Sequence, residues 1–346
     1  MTSRSRLITD LDAEDQVQLF PSLASRSGDG KHWMVNVHGD VSGVAGLSFG
    51  KRMLLKLLQR TMRASDEDFS SPLFRERISR FVAADRPGRR VAVRIGDEVH
   101  KLPKKTRRNG HFQAALRIGD RLADDCVESV VAGGDRYLPL EVVGAAATGR
   151  AYLIDPTGLS IISDIDDTIK HSHVACKRTL LANTFLRPYE TIPGMAPLFR
   201  QWWAAGAAFH YVSSSPWQLY GHLTEHLVDE GFPPGSFHLK AFRLRDHLLR
   251  RVLLLRRSGK LSIIRGLFKM FPQRRFLLIG DSGEHDPEIY GALARRYPRQ
   301  IAGIFIRQLP GQKNARRRYT HAFRRLDSRL LRIFDDANEL ADLRIG

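Results

Sequence analysis

Leu159-Ser160-Ile161-Ile162-Ser163-Asp164-Ile165-Asp166-Asp167-Thr168 is the stretch on which the architecture turns. An apolar run of strand length leads straight into two carboxylates two residues apart, so a strand ends where the acids begin. From Arg150 onward the same kind of run recurs, at Ala207–Ser213, Arg275–Ile279 and Gln300–Ile306. Helical stretches separate or flank these runs: Met195–Ala205, Trp217–Glu230, Asp246–Arg256, Leu261–Met270 and Glu288–Tyr297. Strands alternating with helices predict an α/β fold with a largely parallel sheet covered on both faces. Ligands of such sheets bind at the carboxyl ends of the strands, which is where chemistry is sought.

Upstream the period changes. Trp33–Val41, Arg90–Val99, His111–Arg117 and Tyr137–Val143 alternate apolar and polar residues, with Gly and Asp at the turns. They predict a β-rich N-terminal domain over residues 1–150, followed by an α/β domain over 151–346. Between two of these strands, Phe49–Met62 puts Met53, Leu54, Leu57, Leu58 and Thr61 on one helical face, flanked by Lys51, Arg52, Lys56 and Arg60. Core packing or a surface position is the expectation for this helix, with a place on a membrane as the lesser alternative.

The 346 residues are 42% apolar, enough for a sizeable core, and no apolar run approaches the roughly 20 residues of a membrane span. Acidic residues interrupt the first thirty positions where a secretory signal needs an apolar stretch, so a cytosolic protein is expected. Two cysteines, Cys126 and Cys176, exclude a disulfide framework and a cysteine-rich zinc site. The 55 Lys and Arg against 37 Asp and Glu give +18, which implies attraction to polyanions, whether anionic membrane or nucleic acid. That charge is most one-sided between Phe242 and Arg275, where eleven basic residues face Asp246 alone. Each basic residue near an anionic bilayer contributes roughly 1 kcal/mol, so this segment is expected to bring the protein to a membrane surface. The alternative, nucleic-acid ends, calls for aromatic stacking, for which the segment offers Phe242, Phe268 and Phe271.

Acids gather at two strand tips. One is Asp164-Ile165-Asp166; the other is Gly280-Asp281-Ser282-Gly283-Glu284-His285-Asp286. Carboxylates converging on one crevice repel unless a cation lies between them, and an oxygen-only donor set suits Mg²⁺ rather than zinc. The plainer reading of Asp281 and Asp286 is turn formation and capping of the following helix, easier to combine with metal binding for Asp286 than for Asp281. A third strand tip carries Ser213-Ser214-Ser215-Pro216, whose hydroxyls and N–H groups suit a phosphate oxygen or cap a helix. Lys260 opens the helix before the second acidic tip; a lone lysine in so basic a chain is usually a solvated surface residue, but from this place it could reach the crevice and balance phosphate charge.

Asp164-x-Asp166-x-Thr168, Ser213, Lys260, and Asp281 with Asp286, in this order, resemble the motif set of the haloacid-dehalogenase phosphatases. Ser163–Ile169, Asn183–Tyr189, Val212–Trp217, Gly280–Gly283 and Asp286–Tyr290 are similar, more closely, to the actin-patch phosphatidate phosphatase family and its bacterial relatives, over about residues 150–310. That family more often has asparagine at the position of Ser214. The resemblance implies a haloacid-dehalogenase-like Rossmannoid sheet and a Mg²⁺-dependent hydrolysis of phosphatidate or another phosphomonoester. In it Asp164 is the nucleophile and Asp166 the general acid and base, while Ser213 and Lys260 hold the phosphoryl oxygens. Asp164, Asp166 through its backbone carbonyl, Asp281 and Asp286 serve the metal. Phosphatases of nucleic-acid ends or soluble phosphoesters, and a non-catalytic polyanion-binding protein, are the competing readings.

Overall fold

The computed structural model describes residues 8–44, 49–129, 135–241, 258–312 and 315–343. They divide into two compact units: 8–44, 82–129, 135–156 and 235–237 in the first, and the remainder, including 49–81, in the second. The helical segment 49–81, which lies within the first 150 residues of the sequence, thus packs with the C-terminal α/β unit.

In the first unit the long strand His32–Gly43 pairs antiparallel with Asp15–Phe20, Ser22–Arg26 and His111–Gly119. Its residues alternate between half-buried and buried, so Trp33, Val35, Val37 and Val41 all point into one core with Phe112, Leu138 and Leu140. Arg90–Val99 reads in sequence as one strand, but it forms a hairpin of Ala92–Ile95 and Glu98–Lys101. Gly96 adopts φ +55° between them, the left-handed backbone that a two-residue turn requires.

The second unit carries the strands Ala208–Pro216, Leu159–Ser163, Arg275–Asp281, Ile301–Arg307 and Leu331–Phe334, side by side in that order in one sheet. Every pair from Ala208–Pro216 to Leu331–Phe334 is parallel. Its central strands are buried on both faces, as the unbroken apolar runs Ile161-Ile162 and Leu277-Leu278-Ile279 anticipate. Because Leu159–Ser163 and Arg275–Asp281 are neighbours in parallel register, their acidic carboxyl ends emerge side by side.

The helix Phe49–Met62 buries Leu54, Leu58 and Met62 at the i, i+4, i+8 spacing of one face. The apolar stripe is therefore rotated from the sequence expectation, for Met53 is 45% and Phe49 78% exposed. The following helix, Pro72–Val82, sinks Phe74 and Phe81 against Phe185 of the helix Lys177–Phe185. Arg77 fastens the two together: its buried guanidinium donates to the carbonyls of Thr184 (2.9 Å) and Arg187 (2.6 Å) and lies over the Tyr189 ring. The predicted helix Asp246–Arg256 falls outside the described residues.

Candidate active site

Asp164, Asp281 and Asp286 meet at the paired strand tips, each offering one carboxylate oxygen within 4.8 Å of the other two. All three are buried. Neither oxygen of Asp164 accepts a hydrogen bond, nor does Oδ2 of Asp281. Bare carboxylate oxygens in a closed site are costly, and clustering three carboxylates compounds the cost. Lys260 offsets part of it, with Nζ 2.6 Å from Asp286 Oδ1, 3.1 Å from Asp164 Oδ2 and 3.5 Å from Glu284 Oε2. Burial works against the charge of Lys260, yet these carboxylates hold it protonated well above the ordinary lysine range. For Asp164, burial, opposed by Lys260 and reinforced by the neighbouring acids, pushes the carboxyl well above its usual range, and burial does the same to Asp281. The bare oxygens and the oxygen-only donors fit a small hard cation between the two strand tips.

Asp281 divides its labour in a way the sequence made look difficult. Its Oδ1 accepts the N–H groups of Gly283 and Glu284 and shapes the turn, while Oδ2 remains free. Turn formation and metal holding are thus compatible in one side chain. Gly280 is required beside it, since a Cβ there would overlap the Asp286 carboxyl.

Asp166 sits differently. Its Oδ1 accepts from Lys170 Nζ (2.7 Å) and Ser172 Oγ (2.6 Å), and its Oδ2 from Ser213 Oγ (3.0 Å) and Ser215 Oγ (2.7 Å). Burial would raise its pKa, but Lys170 and the hydroxyls outweigh burial and hold the carboxyl well below the usual range. Ser213 is therefore at the site, as its strand tip predicts, but it faces Asp166. Ser214 and Ser215 cap no helix: Ser215 serves Asp166 and Ser214 Oγ lies 3.5 Å from Glu284 Oε2.

The loop after Asp164 is built by Asp167, a residue at φ +53°. Its carboxylate accepts three backbone N–H groups, from Ser172, His173 and Val174, and so curls the chain back over the strand tip. That curl delivers Lys170 to Asp166. Lys170, Ser172 and Glu284 are site residues that sequence reading passes over. Asp166 and Lys170 stand at i, i+4, a spacing that ordinarily means a solvated helix pair, and only the curl makes it a buried one. Glu284 was in view within the second acidic tip; burial, against the pull of Lys260, pushes its carboxyl up to about 7.

Removing one member of a buried ion pair leaves the other uncompensated, at a cost of about 3 kcal/mol or more. Lys170→Met is accordingly expected to lower the denaturant midpoint of unfolding strongly. The double variant Lys170→Met, Asp166→Asn recovers part of the loss, whereas independent effects would simply add.

Residues 159–308, which hold every one of these acids, serines and lysines, match the family described as phosphatidate phosphatase APP1, catalytic domain. This part of the chain belongs to that family. Over 164 residues the chain is 35% identical to phosphatidate phosphatase APP1 of Saccharomyces cerevisiae, and over 170 residues 37% identical to an uncharacterized protein of Schizosaccharomyces pombe. Each match covers 46% of this chain and 27% of the relative, so the shared part is about a quarter of those longer proteins. The helices between Phe49 and Val82, though packed on the APP1-type domain, lie outside the matched residues.

Proposed function

We propose that this chain is a phosphatase of the haloacid-dehalogenase type that hydrolyses phosphatidate or a related lipid phosphate through an aspartyl-phosphate on Asp164. The observation that carries the reading is the buried Asp164 carboxylate, free of hydrogen bonds and set among Lys260, Asp281 and Asp286. Asp164, Asp281, Asp286 and the backbone carbonyl of Asp166 would hold Mg²⁺, which when bound neutralises the clustered carboxylates and the charge on the phosphoryl group. An Asp164 oxygen attacks phosphorus, the bond from phosphorus to the alcohol oxygen breaks, and water then attacks the acyl phosphate formed on Asp164, releasing inorganic phosphate and restoring the carboxylate. Lys260 balances the phosphoryl charge, and Ser213 binds a phosphoryl oxygen by turning to it the one hydroxyl proton that it otherwise gives Asp166, which keeps Ser215 and Ser172. Asp166 gives a proton to the leaving oxygen and takes one from the incoming water. It is held ionised by Lys170, which suits the second task; for the first, the Lys170 ammonium 2.7 Å away is a source of the proton.

Among the described residues no helix is long and apolar enough to cross a membrane. Access to a lipid substrate would come from adsorption. The helix Phe49–Met62 presents exposed Phe49 and Met53 beside exposed Arg52, Lys56 and Arg60, a combination suited to an anionic lipid interface. Residues 242–257 of the arginine-rich segment, with six of its eleven basic residues, lie outside the described residues. Within its described remainder Arg274 is buried and donates to Ser160 Oγ (2.9 Å) and to the carbonyls of Thr157 and Leu159, so it braces the sheet and is withdrawn from any membrane face. Phe268 and Phe271 are buried as well, which removes two of the three aromatics that base stacking needed.

Phosphate release from phosphatidate in mixed micelles, from a 5′-phosphorylated oligonucleotide and from an aryl phosphate, all with Mg²⁺, tests the reading. The expected order puts phosphatidate first in kcat/KM by at least tenfold. Preference for the oligonucleotide would replace the lipid assignment by the nucleic-acid one.

A further inference from the structure

A narrow cleft of about 70 Å³ opens beside Asp166. Its walls are Phe81, Val174, Leu180, Leu181, Phe185 and Leu219, and its polar rim is Asp166, Glu284, Ser214, Ser215 and Thr184. We infer that this cleft is the leaving-group subsite, and that it takes an acyl chain of a glycerolipid phosphate. The inference rests on the phosphatase reading above and adds to it what the alcohol must look like.

Three observations carry it. The first is position. Asp166 lines the cleft, and Glu284 lines it while its Oε2 lies 3.5 Å from Lys260 Nζ, so the cleft and the carboxylate cluster adjoin. In the reaction the phosphorus–oxygen bond to the alcohol breaks, a bond from phosphorus to Asp164 forms, and the departing oxygen receives by way of Asp166 a proton that comes from the Lys170 ammonium. The group attached to that oxygen must therefore lie on the Asp166 side, which is where the cleft is.

The second is the chemistry of the walls. A sugar or a nucleobase would need hydrogen-bonding groups with capacity to spare. The rim hydroxyls have donated theirs: Ser215 to Asp166, Ser214 to Glu284, and Thr184 back to the carbonyl of Leu180 at 2.7 Å. Apart from the Asp166 and Glu284 carboxylates, what faces the cleft is mostly hydrocarbon, which gains only by covering hydrocarbon.

The third is how the wall is assembled. Phe81 comes from the helix Pro72–Val82, outside the residues shared with the family, and packs edge-on to Phe185 of the helix Lys177–Phe185. Arg77, one helical turn before it, is buried on the carbonyls of Thr184 and Arg187, so the two helices are locked as one wall. The neighbouring helix Phe49–Met62 turns exposed Phe49 and Met53 outward, which is the surface an adsorbed bilayer would meet.

Mono-n-alkyl phosphates from methyl to hexyl, used with the full chain and Mg²⁺ below their micelle concentrations, test this without a membrane. The kcat/KM is expected to rise by about threefold to fourfold per methylene, the factor that corresponds to ~0.8 kcal/mol per buried CH₂. A polar chain of the same length, such as a diethylene-glycol phosphate, should fall well below hexyl phosphate. In Leu180→Gln and in Phe81→Ala, each normalised to its own methyl phosphate turnover, the slope should flatten. A flat series in the wild type, or equal turnover of the polar chain, would overturn the subsite and leave the phosphatase reading standing. A steep series undiminished in both variants would place the apolar contact elsewhere and overturn it too. Absence of phosphate release from every ester, methyl phosphate included, would sink the phosphatase reading itself and this inference with it.

Discussion

Asp164→Asn is expected to lose phosphate release by about 10⁴-fold or more while keeping its fold, because an amide oxygen of the same shape is a far poorer nucleophile toward phosphorus. The substitution separates chemistry from stability unusually well at this position. The carboxylate makes no hydrogen bond that the amide would forfeit, and burial already penalises its charge. Lys260 keeps Asp286 as a partner at 2.6 Å, so it is not left alone. The midpoint of thermal unfolding should therefore be unchanged or raised in the metal-free variant. Near-native turnover of any phosphomonoester by a folded Asp164→Asn protein would refute the assignment of the nucleophile.

Chelation should have the next largest effect. With excess EDTA, phosphate release should fall to background, and added Mg²⁺ should restore it. A second readout does not depend on turnover. A ligand that binds only the native state stabilises it by about 2.7 kcal/mol at a hundredfold excess over its Kd, so Mg²⁺ should raise the unfolding temperature of the EDTA-treated protein by several degrees. Asp281→Ala removes the bare Oδ2 and one of the three converging carboxylates. It should abolish the Mg²⁺-dependent thermal shift, or move it to much higher concentration. A wild-type protein fully active in EDTA, with no thermal shift on adding Mg²⁺, would exclude the cation site.

Much of the α/β unit was legible because its signals are local. The run Leu159–Ser163 and the acids after it are contiguous, so a strand ending in carboxylates could be read directly, and it occupies those residues. Lys260 and Asp286 were placed at the crevice by the same logic of strand and helix ends, and they lie 2.6 Å apart there. The helix Phe49–Met62 has the predicted extent, but its buried face is Leu54, Leu58 and Met62. Periodicity alone leaves such a stripe uncertain by a neighbouring residue, since it records what is apolar and not what packs. The hairpin within Arg90–Val99 was hidden because Gly-Asp inside an alternating run is a turn only if the two halves pair.

By itself the sequence determined which strands carry acids, that serines and a lysine accompany them, and that the charge is strongly basic. These follow from residue type and order along the chain. Only the tertiary structure decided that Lys170 is the counter-ion of Asp166, because three backbone N–H groups must first gather on Asp167 to curl the loop. It alone brought Phe81 to the wall beside Asp166, across 85 positions of sequence, for no local pattern encodes the partner of an apolar face. Hydrophobic burial is non-directional, and a helix becomes part of a cleft wall when the fold chooses what it covers.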